Sequence, residues 1–189
     1  SKYSIMKTLL YSDQPRAFYD FYVCNNIEHR YPVQKDGKSR TQFDIISDAT
    51  IDTLTALSKC VIISGSGGLG KSMMMRHLLL SSVEQYSLTG LLPVFVPLKD
   101  YEGTSGNLID YIYSKIDSLC SNVTKRQFTA TLSAGKCIML LDGLDEVKSE
   151  YGTAFETALE ALSDKYSENV FVMSSRPYQQ FVSYSRFTH

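Results

Sequence analysis

The stretch Gly65-Ser66-Gly67-Gly68-Leu69-Gly70-Lys71-Ser72 constrains this chain more than any other. An apolar run, Cys60–Ser64 (CVIIS), precedes it, and a helical pattern, MMMRHLLL, follows. Glycines between a strand and a helix let the backbone curl until successive N–H groups face one side, where they attract phosphate oxygens. The first turn of the helix adds its partial positive charge. In the pattern G-x-x-x-x-G-K-[ST], Lys71 reaches the β- and γ-phosphates and the Ser72 hydroxyl ligates Mg²⁺. The plain alternative is a glycine-rich turn that binds nothing. At average residue frequencies the bare pattern arises in roughly one chain of this length per hundred. The strand before and the helix after make a chance match rarer, so residues 65–72 are read as the nucleotide-phosphate loop.

A second motif, Ile138-Met139-Leu140-Leu141-Asp142-Gly143-Leu144-Asp145-Glu146, is an apolar strand that ends in a carboxylate. Beside a phosphate loop, Asp142 is placed to hold Mg²⁺, directly or through water. Asp145 and Glu146 follow just beyond, and either can orient and polarise an attacking water. An acidic turn after a strand is common by itself, and it is the upstream loop that gives this one its meaning. A third run, Val170–Ser174 (VFVMS), leads through Ser175 to Arg176-Pro177. Pro177 stops the strand and biases Arg176 towards an extended conformation. On a strand next to the phosphate loop, Arg176 reaches the γ-phosphate edge, where its fixed charge can sense the third phosphate. Without the two preceding motifs, a surface arginine would be the better reading.

Four short apolar runs (Cys60–Ser64, Pro93–Leu98, Cys137–Leu141 and Val170–Ser174) alternate with longer helical stretches. Near-continuous apolarity over about five residues suits strands covered on both faces. The helical stretches are Ser72–Tyr86, Asn107–Cys120, Thr124–Ala134 and Thr153–Tyr166. Such alternation predicts a parallel α/β sheet. Upstream, an aromatic segment, Ala17–Val23, precedes the polar turn signal Gln34–Lys38 and a helix around Asp48–Leu57 capped by Ser47 or Asp48.

Composition narrows the function classes. A net charge of −1 gives no electrostatic footprint for nucleic acid or an anionic membrane. No apolar run is long enough to span a bilayer, and the start of the chain has no signal-peptide core. Cys24, Cys60, Cys120 and Cys137 form no C-x-x-C pair, and His29, His77 and His189 are scattered, which argues against zinc. The expected compartment is reducing and cytoplasmic.

These three motifs together resemble the NACHT branch of the signal-transducing ATPases with numerous domains (STAND). That branch carries GxxGxGK[ST], four apolar residues with DG-x-DE, and then TSR or TSRP; the chain has GSGGLGKS, IMLLDGLDE and SSRP. PVFVPLKDY is similar to the family's second strand, and YSDQPRAFYDFYV to segments upstream of bacterial NACHT cores. The related NB-ARC branch is closer in the phosphate loop itself. It carries two adjacent aspartates at the strand end, however, where this chain has Gly143 after Asp142. Met73 and Ser174 stand where threonine is frequent in the family.

The resemblance implies a P-loop NTPase of three-layer α/β/α sandwich form with a mostly parallel central sheet, of the AAA+-like class. It implies a lead segment and helix over 1–58 and a nucleotide-binding core over 59–189, ending before the helical and winged-helix domains. It also implies ATP and ADP as ligands with Mg²⁺, and a slow switch that joins effector and sensor domains of the same protein. Activation would drive homo-oligomerisation of the full protein in antiviral or innate-immune defence, while this segment alone would stay a monomer with slow turnover. A motor or loader ATPase and a small-molecule P-loop kinase are the alternatives. The kinase lacks need for a DG-x-DE cluster, and the motor needs an arginine finger that no residue declares. For the base, stacking on Arg30-Tyr31-Pro32 or on the 17–23 aromatics is open, although core packing is the preferred reading of most of those rings.

Overall fold

A computed structural model describes residues 5–6, 16–35, 37–103, 107–118, 122–177 and 186–188. Cys120 and His189 lie outside the described residues. A four-stranded parallel sheet carries the chain's chemistry: β5 (Cys60–Ser64), β6 (Leu92–Pro97), β7 (Cys137–Asp142) and β8 (Val170–Ser175), in the order β5-β8-β7-β6. Two antiparallel pairings precede it, β1 (Ile5–Met6) with β2 (Arg16–Ala17), and β3 (Ile27–Lys35) with β4 (Lys38–Ile46). The helices are α1 (Ile51–Thr55), α2 (Lys71–Thr89), α3 (Leu108–Asp117), α4 (Lys125–Ser133) and α5 (Ser149–Lys165).

Strand periodicity sorts the apolar side chains into two layers. Val61 and Ile63 of β5, Ile138 and Leu140 of β7 and Val172 of β8 face Leu54 of α1 and Met75 and Leu78 of α2. Their neighbours Ile62, Met139, Leu141, Phe171 and Met173 face Ile112, Phe128, Leu132, Phe155 and Leu159 of α3, α4 and α5. Helices therefore cover both faces, giving the expected three-layer α/β/α sandwich, and β7 is apolar over Cys137–Leu141 and β8 over Val170–Met173 because neither face meets water there.

Strand β6 tolerates two prolines because it lies at the sheet edge. Leu92 and Leu98 donate their N–H groups to Lys136 O and Asp142 O, both at 2.8 Å, so even-numbered N–H groups point at β7. Pro93 and Pro97 fall on the odd positions, which point outward where no donor is required. At the opposite edge, Thr188 bridges β5 in parallel: Ile62 N–H donates to Thr188 O at 2.8 Å and Thr188 N–H to Cys60 O at 2.9 Å.

One upstream expectation needs correction. The first helix starts later than expected and is capped by Thr50, not by Ser47 or Asp48. The Thr50 side chain accepts from Thr53 N–H while the Thr53 hydroxyl accepts from Thr50 N–H, a reciprocal capping box. The turn expected at Gln34–Lys38 is present, and it joins two nine-residue strands that were not expected, with Lys35 opposite Lys38. Along β3, Ile27, His29, Tyr31 and Val33 are half-buried while Glu28, Arg30, Pro32 and Gln34 are exposed. That alternation around Asp36-Gly37 was the available signal, weakened by charges and by Pro32.

Candidate nucleotide-binding site

Strand β5 ends at Ser64, and the chain turns through residues 65–70 into α2. Gly65 N–H donates to Ser175 O at 3.1 Å, pinning the start of the loop to β8. Gly70 closes the loop with φ +78°, in the left-handed region that favours glycine. The Lys71 ammonium folds back over the loop, donating to Gly65 O at 2.5 Å and Ser66 O at 3.0 Å. It thus lies across the strand-to-helix turn, above the backbone that the sequence motif assigns to phosphate. Gly67 faces Arg176, since a Cβ added there would lie 3.8 Å from the guanidinium carbon.

The acidic strand end lies beside this loop. Ser72 Oγ donates to Asp142 Oδ1 at 3.2 Å, and Ser174 Oγ of β8 donates to the same oxygen at 2.6 Å. Ser174 Oγ in turn accepts from the buried Gly143 N–H at 2.9 Å. The carboxylate is held through one oxygen, and Oδ2 carries no hydrogen bond among the described residues. One carboxylate beside one hydroxyl suits Mg²⁺, which takes few protein ligands and completes its shell with phosphate and water. A dense cluster of three or more His, Cys, Asp or Glu side chains does not occur among the described residues.

Asp145 and Glu146 differ sharply. Asp145, with a side chain only 15% exposed, accepts Arg176 N–H at 3.0 Å through Oδ1 and pairs with Arg176 Nε at 2.9 Å through Oδ2. Both its oxygens are engaged by one residue, whose own side chain is 67% exposed. Glu146 is exposed, its backbone N–H donates to Gly143 O at 2.9 Å, and its side chain makes no hydrogen bond or ion pair among the described residues. It leans over Gly143, where an added Cβ would meet Glu146 Cδ at 3.0 Å and where φ is +84°. A residue with a side chain at 143 would therefore be strained in its backbone and would push Glu146 aside.

The strand order brings these groups together. Strand β8 lies between β5 and β7 in parallel, so the C-terminal ends of all three deliver the phosphate loop, Arg176 and Asp142 to one edge. In open parallel sheets that edge is where ligands bind. A cavity of about 1070 Å³ opens there. The phosphate loop with Lys71, residues 25–30, Leu54, Leu57 and Val61–Ser64 line it, whereas Ser72, Asp142, Asp145, Glu146 and Arg176 lie outside its lining.

Arg30 lines that cavity, whereas Tyr31 and Pro32 do not. The upstream rings pack elsewhere: Phe18 is buried, Tyr22 stacks on His77 with centroids 4.8 Å apart, and the Tyr19 hydroxyl lies 3.2 Å from His77 Nδ1. Two residues were not singled out by sequence as site residues. Ser174 bridges Asp142 to Gly143, a contact signalled only by the serine–threonine position before SRP. Asn25 Nδ2 donates to Leu69 O at 2.7 Å, and nothing in the local sequence marks it.

No curated protein matches the chain in a sequence search. The NACHT domain profile matches residues 59–182, which take in the phosphate loop, the acidic strand end and Arg176. With a match over more than half its length, the chain belongs to the NACHT family, nucleotide-binding NTPase signalling modules built on the α/β fold described above.

Proposed function

We propose that the chain binds ATP and ADP with Mg²⁺ and hydrolyses ATP slowly, as the switch of a signalling protein that oligomerises when activated. The observation that carries this reading is the convergence of Lys71, Ser72, Asp142, Glu146 and Arg176 at one end of three adjacent parallel strands. Residues Gly65 to Gly70 offer backbone N–H groups to the phosphates. Lys71 exchanges its two carbonyl partners for phosphate oxygens, a trade that favours the nucleotide because both partners are then charged. Ser72 and Asp142 hold Mg²⁺, which neutralises phosphate charge when bound.

Glu146 is the residue assigned to orient the attacking water and take up its proton, because it alone of the acidic pair is unencumbered. Asp145 instead positions Arg176 through backbone and guanidinium. Arg176 then reads the third phosphate from a held position, with a phosphate oxygen competing against the Asp145 carboxylate for its charge. Adenine as the base, a cytoplasmic setting, effector and sensor domains in the full-length protein, and a role in antiviral or innate-immune defence follow from NACHT relationship alone and are part of this proposal.

The decisive experiment is titration of the chain with a fluorescent ATP analogue, with and without Mg²⁺, beside Lys71→Ala. Lys71→Ala removes one charge-assisted contact to the phosphates, so affinity should fall by about ten-fold or more. Equal affinity in both proteins would remove the phosphate-loop assignment.

A further inference from the structure

Asn25 lies between the aromatic segment and β3, and its side-chain amide donates to Leu69 O at 2.7 Å. The peptide joining Leu69 to Gly70 is planar and trans, so its C=O and N–H point in opposite directions. Holding the oxygen at Asn25 therefore holds the Gly70 N–H pointing away from Asn25. Residue 70 is glycine in the left-handed region, φ +78°, so its own backbone sets little resistance to a flip of that peptide. The contact is close as well as polar: a Cβ added to Gly70 would come within 3.3 Å of Asn25 Nδ2.

A second, independent contact fixes where Asn25 stands. His77 is on α2, the helix that Lys71 and Ser72 begin. Tyr22 stacks on the His77 ring at 4.8 Å between centroids with the planes 22° apart, and the Tyr19 hydroxyl lies 3.2 Å from His77 Nδ1. Phe18, 1% exposed, stacks on Tyr22 in turn at 4.9 Å. Residues 18–25 thus grip the loop-and-helix unit twice, once at its helix and once at the loop carbonyl.

We propose that Asn25 is a positioning residue for the bound phosphates: it orients the Leu69–Gly70 peptide so that Gly70 N–H faces the nucleotide, and the Tyr19–Tyr22–His77 contact keeps it in place. This rests on the nucleotide reading above. Nucleotide retention then depends on whether the upstream segment stays docked on α2, which links the lead segment to the state of the site. Asn25 is exposed, so its replacement costs the fold little beyond that one hydrogen bond.

The test is stopped-flow release of a fluorescent ADP analogue from the chain, chased with excess ADP. Asn25→Ala should release it about five-fold faster, the worth of one net hydrogen bond. Asn25→Asp keeps the size but turns a carboxylate towards Leu69 O and the phosphates, and should release faster still. Both variants should still unfold in one cooperative urea transition without nucleotide, with midpoints lowered by no more than one exposed hydrogen bond is worth, so faster release does not report loss of the fold. Tyr22→Ala should speed release in the parent but add nothing to Asn25→Ala, since the two act through one contact. Release within about two-fold of the parent in both Asn25 variants, or fully additive Tyr22 and Asn25 effects, would overturn the proposal. Lys71→Ala in the same assay separates the two levels. If the parent binds in a Lys71-dependent way and the Asn25 variants are unchanged, only the Asn25 assignment falls; if Lys71→Ala binds equally well, the nucleotide reading itself falls.

Discussion

Replacing Ser174 by alanine tests the join between the acidic strand end and the sheet. Ser174 is 1% exposed, donates to Asp142 Oδ1 at 2.6 Å and accepts from Gly143 N–H at 2.9 Å. Ser174→Ala removes both bonds and leaves the Gly143 N–H buried without a partner, a loss of about 1–3 kcal/mol. The bond to the ionised Asp142 adds about 1.5–3 kcal/mol in its own right. Asp142 is partly exposed and regains some of that from water, so the two terms do not sum fully. The expected destabilisation is about 2–4 kcal/mol, which for a domain of this size lowers the melting temperature by about 4–16 °C. Function should shift as well. Asp142 loses the shorter of its two anchors and keeps only the 3.2 Å bond from Ser72, so more Mg²⁺ should be needed for half-maximal ATP-analogue binding. Ser72→Ala offers the contrast, since its bond is longer and exposed: about 0–1 kcal/mol in stability, with the larger effect on Mg²⁺ dependence. Urea unfolding followed by circular dichroism, together with a Mg²⁺ titration of analogue binding, measures both. A Ser174→Ala protein destabilised by less than about 0.5 kcal/mol with an unchanged Mg²⁺ requirement would refute the bridging role.

Glu146→Gln should bind ATP normally and lose most turnover, whereas Asp145→Asn should cost at most about 1 kcal/mol in stability, because its partner Arg176 is largely exposed, and should weaken discrimination of ATP from ADP. Phosphate-release assays beside paired ATP and ADP titrations check this, and lost turnover in Asp145→Asn with normal turnover in Glu146→Gln would reverse the two roles. Burial pushes the Cys137 thiol up to about 12, so above pH 9 the unfolded chain sheds a proton that the folded chain keeps. Stability should therefore fall with rising pH between about 9 and 12, by up to about 1.4 kcal/mol per pH unit from this group. The Cys60 thiol, also raised by burial, acts in the same direction. Urea melts at rising pH for the parent and Cys137→Ala should show a shallower slope in the variant, and parallel slopes would contradict the assignment.

The phosphate loop, the acidic strand end and the four buried strands were legible in the sequence because each is a contiguous chemical unit. A loop that must curl around phosphate needs its glycines, lysine and serine in one stretch, and a strand covered on both faces has to be apolar along its length. The place of β6 at the sheet edge came from the tertiary structure, and it accounts for the two prolines, since only an edge strand has N–H positions to spare. Tertiary structure decided what depends on register between distant segments. It put β8 between β5 and β7, so that Ser174 bridges Asp142 to Gly143 and Arg176 meets Asp145. Adjacent in sequence and alike in charge, Asp145 and Glu146 could not be told apart until the strand order showed that one faces an arginine and the other does not. Asn25 was invisible for the same reason: its partner is a backbone carbonyl forty-four residues away, and a carbonyl leaves no trace in residue identity. Side-chain chemistry can be read along a chain, but which groups share a space is set by how the two apolar layers close on the sheet.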